Sequence, residues 1–340
     1  ISRYVSSAMT KRLCALATLK IMSNSASSQS LPVGLSGLIT TIALVFEVIF
    51  ASTIVSAILL VALLLYFFIT KDKKYIPQIA NGIWTLCEQS TWVLPAHVVV
   101  QKEKTGLPDP YEVVIDLGSG TAASQLSMIQ FMLSEELDNY SRGIGKRVFA
   151  ELNKRIFQPY LSRNDFWWMG FTGQAVNNWN PWVNTNVLMT ALYSSLGADS
   201  VGLIITKTVK STDIFVNQYP DDGGCDEGPS YWSEAGGKLI RFIHVLNGLT
   251  SNPIQWNAQK LIYNMGNYIT KVHIGENNFV NFADAFSKSI PDPESVYSYG
   301  SIFEDASLKS FGAYLFGLQK QKLDNANIID FLETSVVFDS

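Results

Sequence analysis

The chemically richest part of the sequence is a glycine-rich segment, Tyr219–Trp232, with the sequence YPDDGGCDEGPSYW. It places two carboxylates, Asp222 and Glu227, close in sequence to the phenol of Tyr231. A tyrosine can take up and return a proton where a neighbouring cation or hydrogen-bond donor favours its phenolate form. Tyr231 is therefore the candidate base and acid of a catalytic site. An aromatic ring packed at the start of a helix is the alternative interpretation.

A second segment, Asn164–Asn186, mixes amides with tryptophans. Amide N–H groups are suited to binding a carboxylate, and the candidates are Asn177, Asn178 and Asn180. Some of these amides could instead cap the helix that follows. Flat apolar rings beside polar groups are typical of a carbohydrate-binding cleft, and a helical core with a polar rim is the alternative. The candidate stacking rings are Trp168, Trp179, Trp182 and Trp232.

Three more side chains are candidates for the same site. His97, at the end of the segment Ser90–His97, is the candidate imidazole, although a single histidine is also a common structural residue. Asp222 and Glu227 have two interpretations. They either orient Tyr231 and bind sugar hydroxyls, or they form the acid and base of a glycoside hydrolase, which needs two carboxylates.

The net charge and the positions of the cysteines and histidines argue against several classes of protein. The chain has 340 residues and a formal net charge of −4, and this argues against nucleic-acid binding, which normally needs a basic face. An acidic polymer remains compatible as a partner, because local charge in a cleft matters more than the total. The three cysteines and three histidines show neither metal-binding spacing nor a disulfide framework. We expect no metal and no organic cofactor.

Helical periodicity dominates the sequence after Lys71, and strand-like alternation is scarce, so the predicted fold class is all-α. The predicted helices are Ile76–Glu88, Ala123–Leu137, Lys146–Phe157, Asn186–Leu196, Val201–Gln218, Glu234–Leu249, Ile254–Thr270 and Ser307–Leu318.

Four of the loops between these helices are rich in polar and aromatic residues, and by our count two helices separate each such loop from the next. In an up-and-down array of helices, two crossings return the chain to the end it left. We therefore expect a single site on one face. The loops that should form it are Ser90–His97, Asn164–Asn186, Tyr219–Trp232 and Asn277–Asp284.

The stretch from Leu38 to Thr70 is almost wholly apolar, and Val48–Ile69 carries no charge. About 20 such residues can span a bilayer as a helix, and the lysines that follow would then face the cytoplasm. A buried helical hairpin and a non-native segment, such as a translated intron, are the alternatives. A membrane partner is predicted only through residues 48–69.

The segment Glu112–Thr121, EVVIDLGSGT, looks like the nucleotide loop of a methyltransferase. Such a loop requires a βαβ continuation, and the residues that follow it have helical periodicity instead. A short GxG motif alone is weak evidence, so we do not expect a nucleotide site here.

Three segments together resemble the heparinase II/III-like family: Asn177–Asn186, the PDDGGCDEGPSYW turn that ends at Trp232, and Asn281–Asp284. The turn is the most specific, since it is similar to the family's DGG…EGPxYW motif. The likeness covers about Lys71 to Leu318, and Ser2 to Met22 more weakly.

The resemblance implies an (α/α) toroid with a substrate cleft at one mouth, periplasmic or secreted. It divides the chain into an N-terminal helix of the toroid (1–22), an apolar insertion (23–70) and the toroid itself (71–340). The first residue is Ile1 rather than Met, and we expect an incomplete toroid without the family's C-terminal β-sandwich.

The activity that the resemblance implies is β-elimination at a uronic acid of an acidic polysaccharide. The uronate carboxylate must be neutralised, a base must remove the C5 proton and an acid must protonate the leaving oxygen. Tyr231 is the expected base and acid, with Asn178 and His97 as helpers. Lys238 and Arg241 on the next helix could favour the phenolate. A hydrolase on the same toroid and a non-catalytic glycan-binding remnant are the alternatives.

Overall fold

The computed structural model describes residues 60, 63, 64, 67, 70–103, 107–250, 254, 256 and 259–325. The described part is all-α, and its strands are limited to one short antiparallel pair, His273–Gly275 and Asn278–Phe279. A π-helical turn, Asn153–Phe157, joins the helices Ile144–Leu152 and Gln158–Ser162. The elements are α1 Ile76–Glu88, α2 Leu117–Met132, α3 Ser134–Tyr140, α4 Ile144–Leu152, α5 Gln158–Ser162, α6 Trp179–Tyr193, α7 Ala198–Gln218, α8 Gly236–Leu249, α9 Lys260–Lys271, β1 His273–Gly275, β2 Asn278–Phe279, α10 Pro293–Ile302 and α11 Ala306–Asn325.

Local sequence explains where several helices begin. The carboxylate of Asp116 accepts from the backbone N–H of Ser119 and caps α2, and Asp292 caps α10 in the same way through Ser295. A carboxylate at this position satisfies an otherwise unpaired amide and interacts favourably with the helix dipole. Pro293 follows Asp292 as the first residue of α10. Proline is tolerated at this position because a backbone N–H in the first turn has no hydrogen-bond partner within the helix.

Four helices form a row: α2 packs against α6, α6 against α8, and α8 against α10. The first two run parallel, since Trp182 near the start of α6 donates to Thr121 near the start of α2, while Tyr193 at the end of α6 contacts Phe131. The intervening helices α4, α7 and α9 each pack against members of this row. Consequently, the loops that precede α2, α6 and α8 emerge at one end of the row.

The predicted helix boundaries agree in part with those in the structure. The prediction for α1 is correct at both ends, and α7 starts three residues earlier than predicted. Other predictions were wrong: Ala123–Leu137 is two helices that meet at Leu133, and α6 starts at Trp179 rather than at Asn186. The second error arose from Pro181, which was interpreted as a loop residue but lies in the first turn of α6, where proline is tolerated. In addition, α9 starts at Lys260 rather than at Ile254, and α10 was not predicted.

Most of the apolar stretch, including nearly all of Val48–Ile69, lies outside the described residues, as does the predicted helix of residues 1–22. The exceptions are helical: the half-buried Thr70 and four side chains buried in the core that also contains α1, which are Leu60, Leu63, Leu64 and Phe67. The spacing of these four places them on one helix face, which is the pattern of a helix that packs one side against a core. Among the helices the structure describes, none combines the length and apolarity needed to cross a bilayer.

Candidate functional site

The four polar and aromatic loops meet at the end of the helix row where α2, α6 and α8 begin. Each loop makes at least one direct contact with another, so they form one continuous face, as expected. The helix count behind that expectation was wrong between the first two loops, where the chain forms α2, α3, α4 and α5 rather than two helices. The contacts are the hydrogen bond from Asn178 to Glu227, the close approach of the Gly228 backbone to the carbonyl of Phe282, and the packing of His97 against Trp179.

Asn178 and Glu227 form the central link of this face. The side-chain amide of Asn178, which is 7 % exposed, donates to Oε2 of Glu227 over 3.0 Å. The bond joins the asparagine-rich segment to the glycine-rich turn that also carries Tyr231. An amide has two N–H groups, so Asn178 retains a second donor for another acceptor.

The carboxyl of Glu227 lies in an electrostatically unfavourable position. Partial burial raises its pKa above the ordinary value, and the negative charges of Asp226 and Asp284 raise it further. Asp284 belongs to the fourth loop, so a residue far away in sequence helps to set the protonation of Glu227. A carboxyl with a raised pKa holds its proton to a higher pH than an ordinary glutamate and is a candidate for proton transfer.

We expect the variant Glu227→Gln to gain stability over the wild type as the pH rises above 4.5, the ordinary glutamate value, and to lose this gain as the pH falls below it. A raised folded-state pKa means that ionisation of Glu227 costs stability as the pH rises, and glutamine removes this cost while it still accepts from Asn178. Urea unfolding at several pH values measures the difference. Glu135→Gln, at an exposed position of α3, is the control for replacement of a glutamate by glutamine.

His97 is held by a buried carboxylate. Its Nδ1 lies 2.8 Å from Oδ2 of Asp116, and its ring centroid lies 4.4 Å from that of Trp179. The ring of Trp167 continues this contact, with its centroid 5.3 Å from that of Trp179. Both tryptophans are only partly buried, so an imidazole and two indoles line one side of the face. Such a row of rings can stack on sugar rings.

Two predicted amide ligands have structural roles. Asn180 was expected to bind substrate, but it is fully buried and donates to the carbonyl of Trp168 and to Ser211 on α7. It lies inside α6 and faces the core rather than the loops. The side-chain oxygen Oδ1 of Asn177 accepts from the backbone N–H of Trp179 and orders the start of α6, and the residue remains partly exposed.

Two predicted stacking rings also belong to the core. Trp168 is 1 % exposed and donates to the carbonyl of Ile115, and Trp232 is 0 % exposed and donates to the carbonyl of Met265. Each indole N–H is satisfied by a backbone carbonyl, which lets a large ring be buried without loss of a hydrogen bond. The prediction that these rings bind sugar was therefore wrong.

Trp182 is partly buried and forms the floor of an adjacent part of the face. The ammonium of Lys238 lies 4.7 Å from the centroid of its ring and 2.9 Å from a carboxylate oxygen of Glu234. Lys238 is therefore already engaged by an anion and an aromatic ring. Arg241 acts on Tyr193 at the far end of α6, so its charge is directed away from the loops.

The glycine-rich turn exposes Tyr231, whose side chain is 38 % accessible. Its backbone N–H donates to the carbonyl of Gly228, and a backbone bond from Gly223 to Pro220 closes the first bend of the turn. Asp222 accepts from the N–H of Gly224 over 2.9 Å, so this carboxylate shapes the bend. Pairing of Asp222 with Glu227 as acid and base receives no support, because the carboxylates that act on Glu227 are other ones.

Three residues of the face were missed by sequence reasoning: Asp116, Trp167 and Asp284. Asp116 lies in the segment that imitates a nucleotide loop, and its position directly before a glycine-containing helix was the available signal for a capping residue. Trp167 was overlooked in favour of its neighbour Trp168, because sequence cannot tell which of two adjacent rings faces outward. In the described part of the chain, no cluster of His, Cys, Asp and Glu is arranged to hold a metal ion.

The fold and this face define an all-α protein whose candidate site is built from four loops at one end of a row of helices. No protein-family model matches the chain, and no curated protein is significantly similar to it.

Proposed function

We propose that this chain is the helical domain of a heparinase II/III-like polysaccharide lyase, which cleaves a uronic-acid-containing polysaccharide by β-elimination. The observation that carries the proposal is the hydrogen bond from Asn178 to Glu227, since it joins the amide-rich segment to the turn on which Tyr231 is exposed. Motif resemblance identified the same two segments. Their contact in the fold supports a common role.

The helix arrangement supports an (α/α) toroid as the architecture. Successive members of the row α2, α6, α8 and α10 are in contact, and helices that lie between them in sequence pack against the row. An alternation of this kind, with an inner row and an outer set of helices, is what a toroid or an arc of one requires. The site loops then lie at the end where the inner helices begin.

The proposed chemistry assigns one role to each group. The second N–H of Asn178 binds the uronate carboxylate and favours the charge that develops when C5 loses its proton. Tyr231 removes that proton and returns one to the leaving oxygen at C4. His97 assists at the carboxylate side, while Trp179 and Trp167 stack on neighbouring sugars. Glu227 accepts from the first N–H of Asn178 and so orients the amide toward the substrate.

Glycoside hydrolysis is a second candidate, favoured by one observation. The pKa of Glu227 is raised by burial and by two neighbouring carboxylates, and a raised pKa is what a hydrolytic general acid needs. In that reaction Glu227 would protonate the glycosidic oxygen, and a second carboxylate such as Asp284 would act on water or on the sugar. Tyr231 would then only position the substrate.

The products distinguish the two reactions. Elimination leaves a C4=C5 double bond conjugated to the carboxylate, which absorbs in the ultraviolet, whereas hydrolysis leaves new reducing ends without that absorbance. Purified protein is incubated with heparan sulfate, alginate and a neutral glucan, and both signals are followed. We expect ultraviolet absorbance to rise with the uronate polymers alone. Reducing ends without absorbance would favour the hydrolase, and binding without either signal would favour a non-catalytic glycan-binding protein.

A further inference from the structure

Asp116 makes more contacts than a helix cap needs. It is 0 % exposed, and its Oδ1 accepts from both the N–H and the hydroxyl of Ser119 at the start of α2. Its Oδ2 accepts from the N–H of Leu94 over 2.9 Å and lies 2.8 Å from Nδ1 of His97. The carboxylate thus connects the first turn of α2 to the loop that carries the imidazole.

These contacts determine which nitrogen of His97 carries the proton. A carboxylate only accepts hydrogen bonds, so the partner nitrogen Nδ1 must donate. In the neutral imidazole, Nε2 then carries the lone pair. Among the described residues Nε2 has no hydrogen-bond partner, and the His97 side chain is 20 % exposed. The free nitrogen is therefore available to a molecule that enters the face beside Trp179.

We propose that Asp116 is the positioning residue of the site: it fixes His97 in the Nδ1–H tautomer and aims Nε2 at the substrate. The tautomer follows from geometry alone, and the catalytic consequence rests on the proposed function. Because Asp116 also caps α2, the imidazole is anchored to the rigid start of a helix of the row rather than to its own loop. In the neutral form Nε2 accepts a hydrogen bond from the sugar, and in the protonated form it donates one to the uronate.

The tautomer of the wild-type protein gives a direct test. Selective ¹⁵N labelling of histidine, with the His97 signals assigned by their loss in His97→Gln, reports which ring nitrogen carries the proton at a pH where imidazole is neutral. We expect Nδ1 to be protonated and Nε2 to have the shift of a nitrogen with a lone pair. A wild-type Nε2–H tautomer would overturn the inference, and this measurement requires neither a variant of Asp116 nor any catalytic activity.

The variant Asp116→Asn gives the second test. The amide has one oxygen, and if that oxygen continues to cap α2 its NH₂ group faces His97, which favours the opposite tautomer. We expect the tautomer to change and kcat of the polysaccharide-cleaving reaction to fall at least about tenfold, with KM within about twofold. Unchanged tautomer and kcat in a folded variant would refute the positioning role.

Asp292→Asn is the matched control, because Asp292 caps α10 through Ser295 without contacting a histidine. It should lose stability without a change in the His97 signals or in kcat. If the wild type shows the expected tautomer but cleaves no polysaccharide by either route, the proposed function fails while the placement of the proton by Asp116 stands. If Asp292→Asn lowers kcat as much as Asp116→Asn, the effect of Asp116 is only that of a helix cap, and the inference fails.

Discussion

Replacement of Tyr231 by phenylalanine is expected to lower kcat for polysaccharide cleavage about 10²- to 10⁴-fold, while the affinity for the polymer changes little. The range is that of a lost general acid or base, since phenylalanine keeps the ring and removes only the group that carries the proton. Tyr231 is 38 % exposed and its hydroxyl has no hydrogen-bond partner among the described residues, so the fold should not depend on that hydroxyl. Ultraviolet absorbance of the products measures the rate, and calorimetric titration measures binding.

Tyr140→Phe is the control for this experiment. Tyr140 is 51 % exposed at the end of α3, away from the four loops, so its loss of a hydroxyl should leave kcat unchanged. Full activity of Tyr231→Phe would show that another group performs the proton transfer. A variant that lost both activity and polymer binding would make Tyr231 a binding residue rather than the base.

Replacement of Gly223 by alanine is expected to destabilise the protein by at least about 3 kcal/mol and to abolish activity. Gly223 has a φ of +77°, and a Cβ built on it would overlap the backbone of Asn264 and Met265 in α9. The turn cannot move away easily, because the side chain of Asn264 also donates to the carbonyl of Asp221. The atoms that the new Cβ would meet belong to the backbone of α9, so no flexible side chain can move aside to relieve the overlap. Urea unfolding followed by circular dichroism measures the loss.

Gly173→Ala separates the two causes of this loss. Gly173 has nearly the same φ, +78°, but its Cβ would meet nothing within 4 Å. The variant Gly173→Ala should therefore lower the free energy of unfolding by only about 1 to 2 kcal/mol, the usual penalty for an alanine in the left-handed conformation. Similar losses in the two variants would mean that backbone conformation alone explains Gly223, and that the contact of the turn with α9 is unimportant for stability.

The fold class could be predicted from the sequence because it depends on local periodicity. The stripe Ile76, Ile79, Ile83 and Leu86 defines α1, and the structure buries all four side chains. The polar loops also share one end of the array, as expected, although four helices rather than the predicted two separate the first two loops. Helix starts were less predictable: the Trp179–Trp182 segment has the composition of a loop, but the packing of α6 against α7 makes it helical.

The outward or inward direction of individual side chains could not be predicted. Trp167 and Trp168 are neighbours of identical type, but Trp168 is the buried one, where its N–H donates to the carbonyl of Ile115 and its ring stacks on those of Tyr160 and Phe166. Asn178 and Asn180 differ in the same way, since one faces Glu227 and the other faces Ser211. The two members of each pair have the same residue type, so the sequence does not indicate which of them faces the core.

Residue types and their periodicity along the chain are sufficient to predict that this protein is built of helices and that its polar and aromatic groups are concentrated in a few loops. Which of those groups lie close together depends on how the helices pack. Asp284 raises the pKa of Glu227, and Asp116 orients His97, only because helices far apart in sequence start at the same end of one row. Hydrogen bonds and electrostatic interactions depend on distance in space, and that distance exists only in the folded chain.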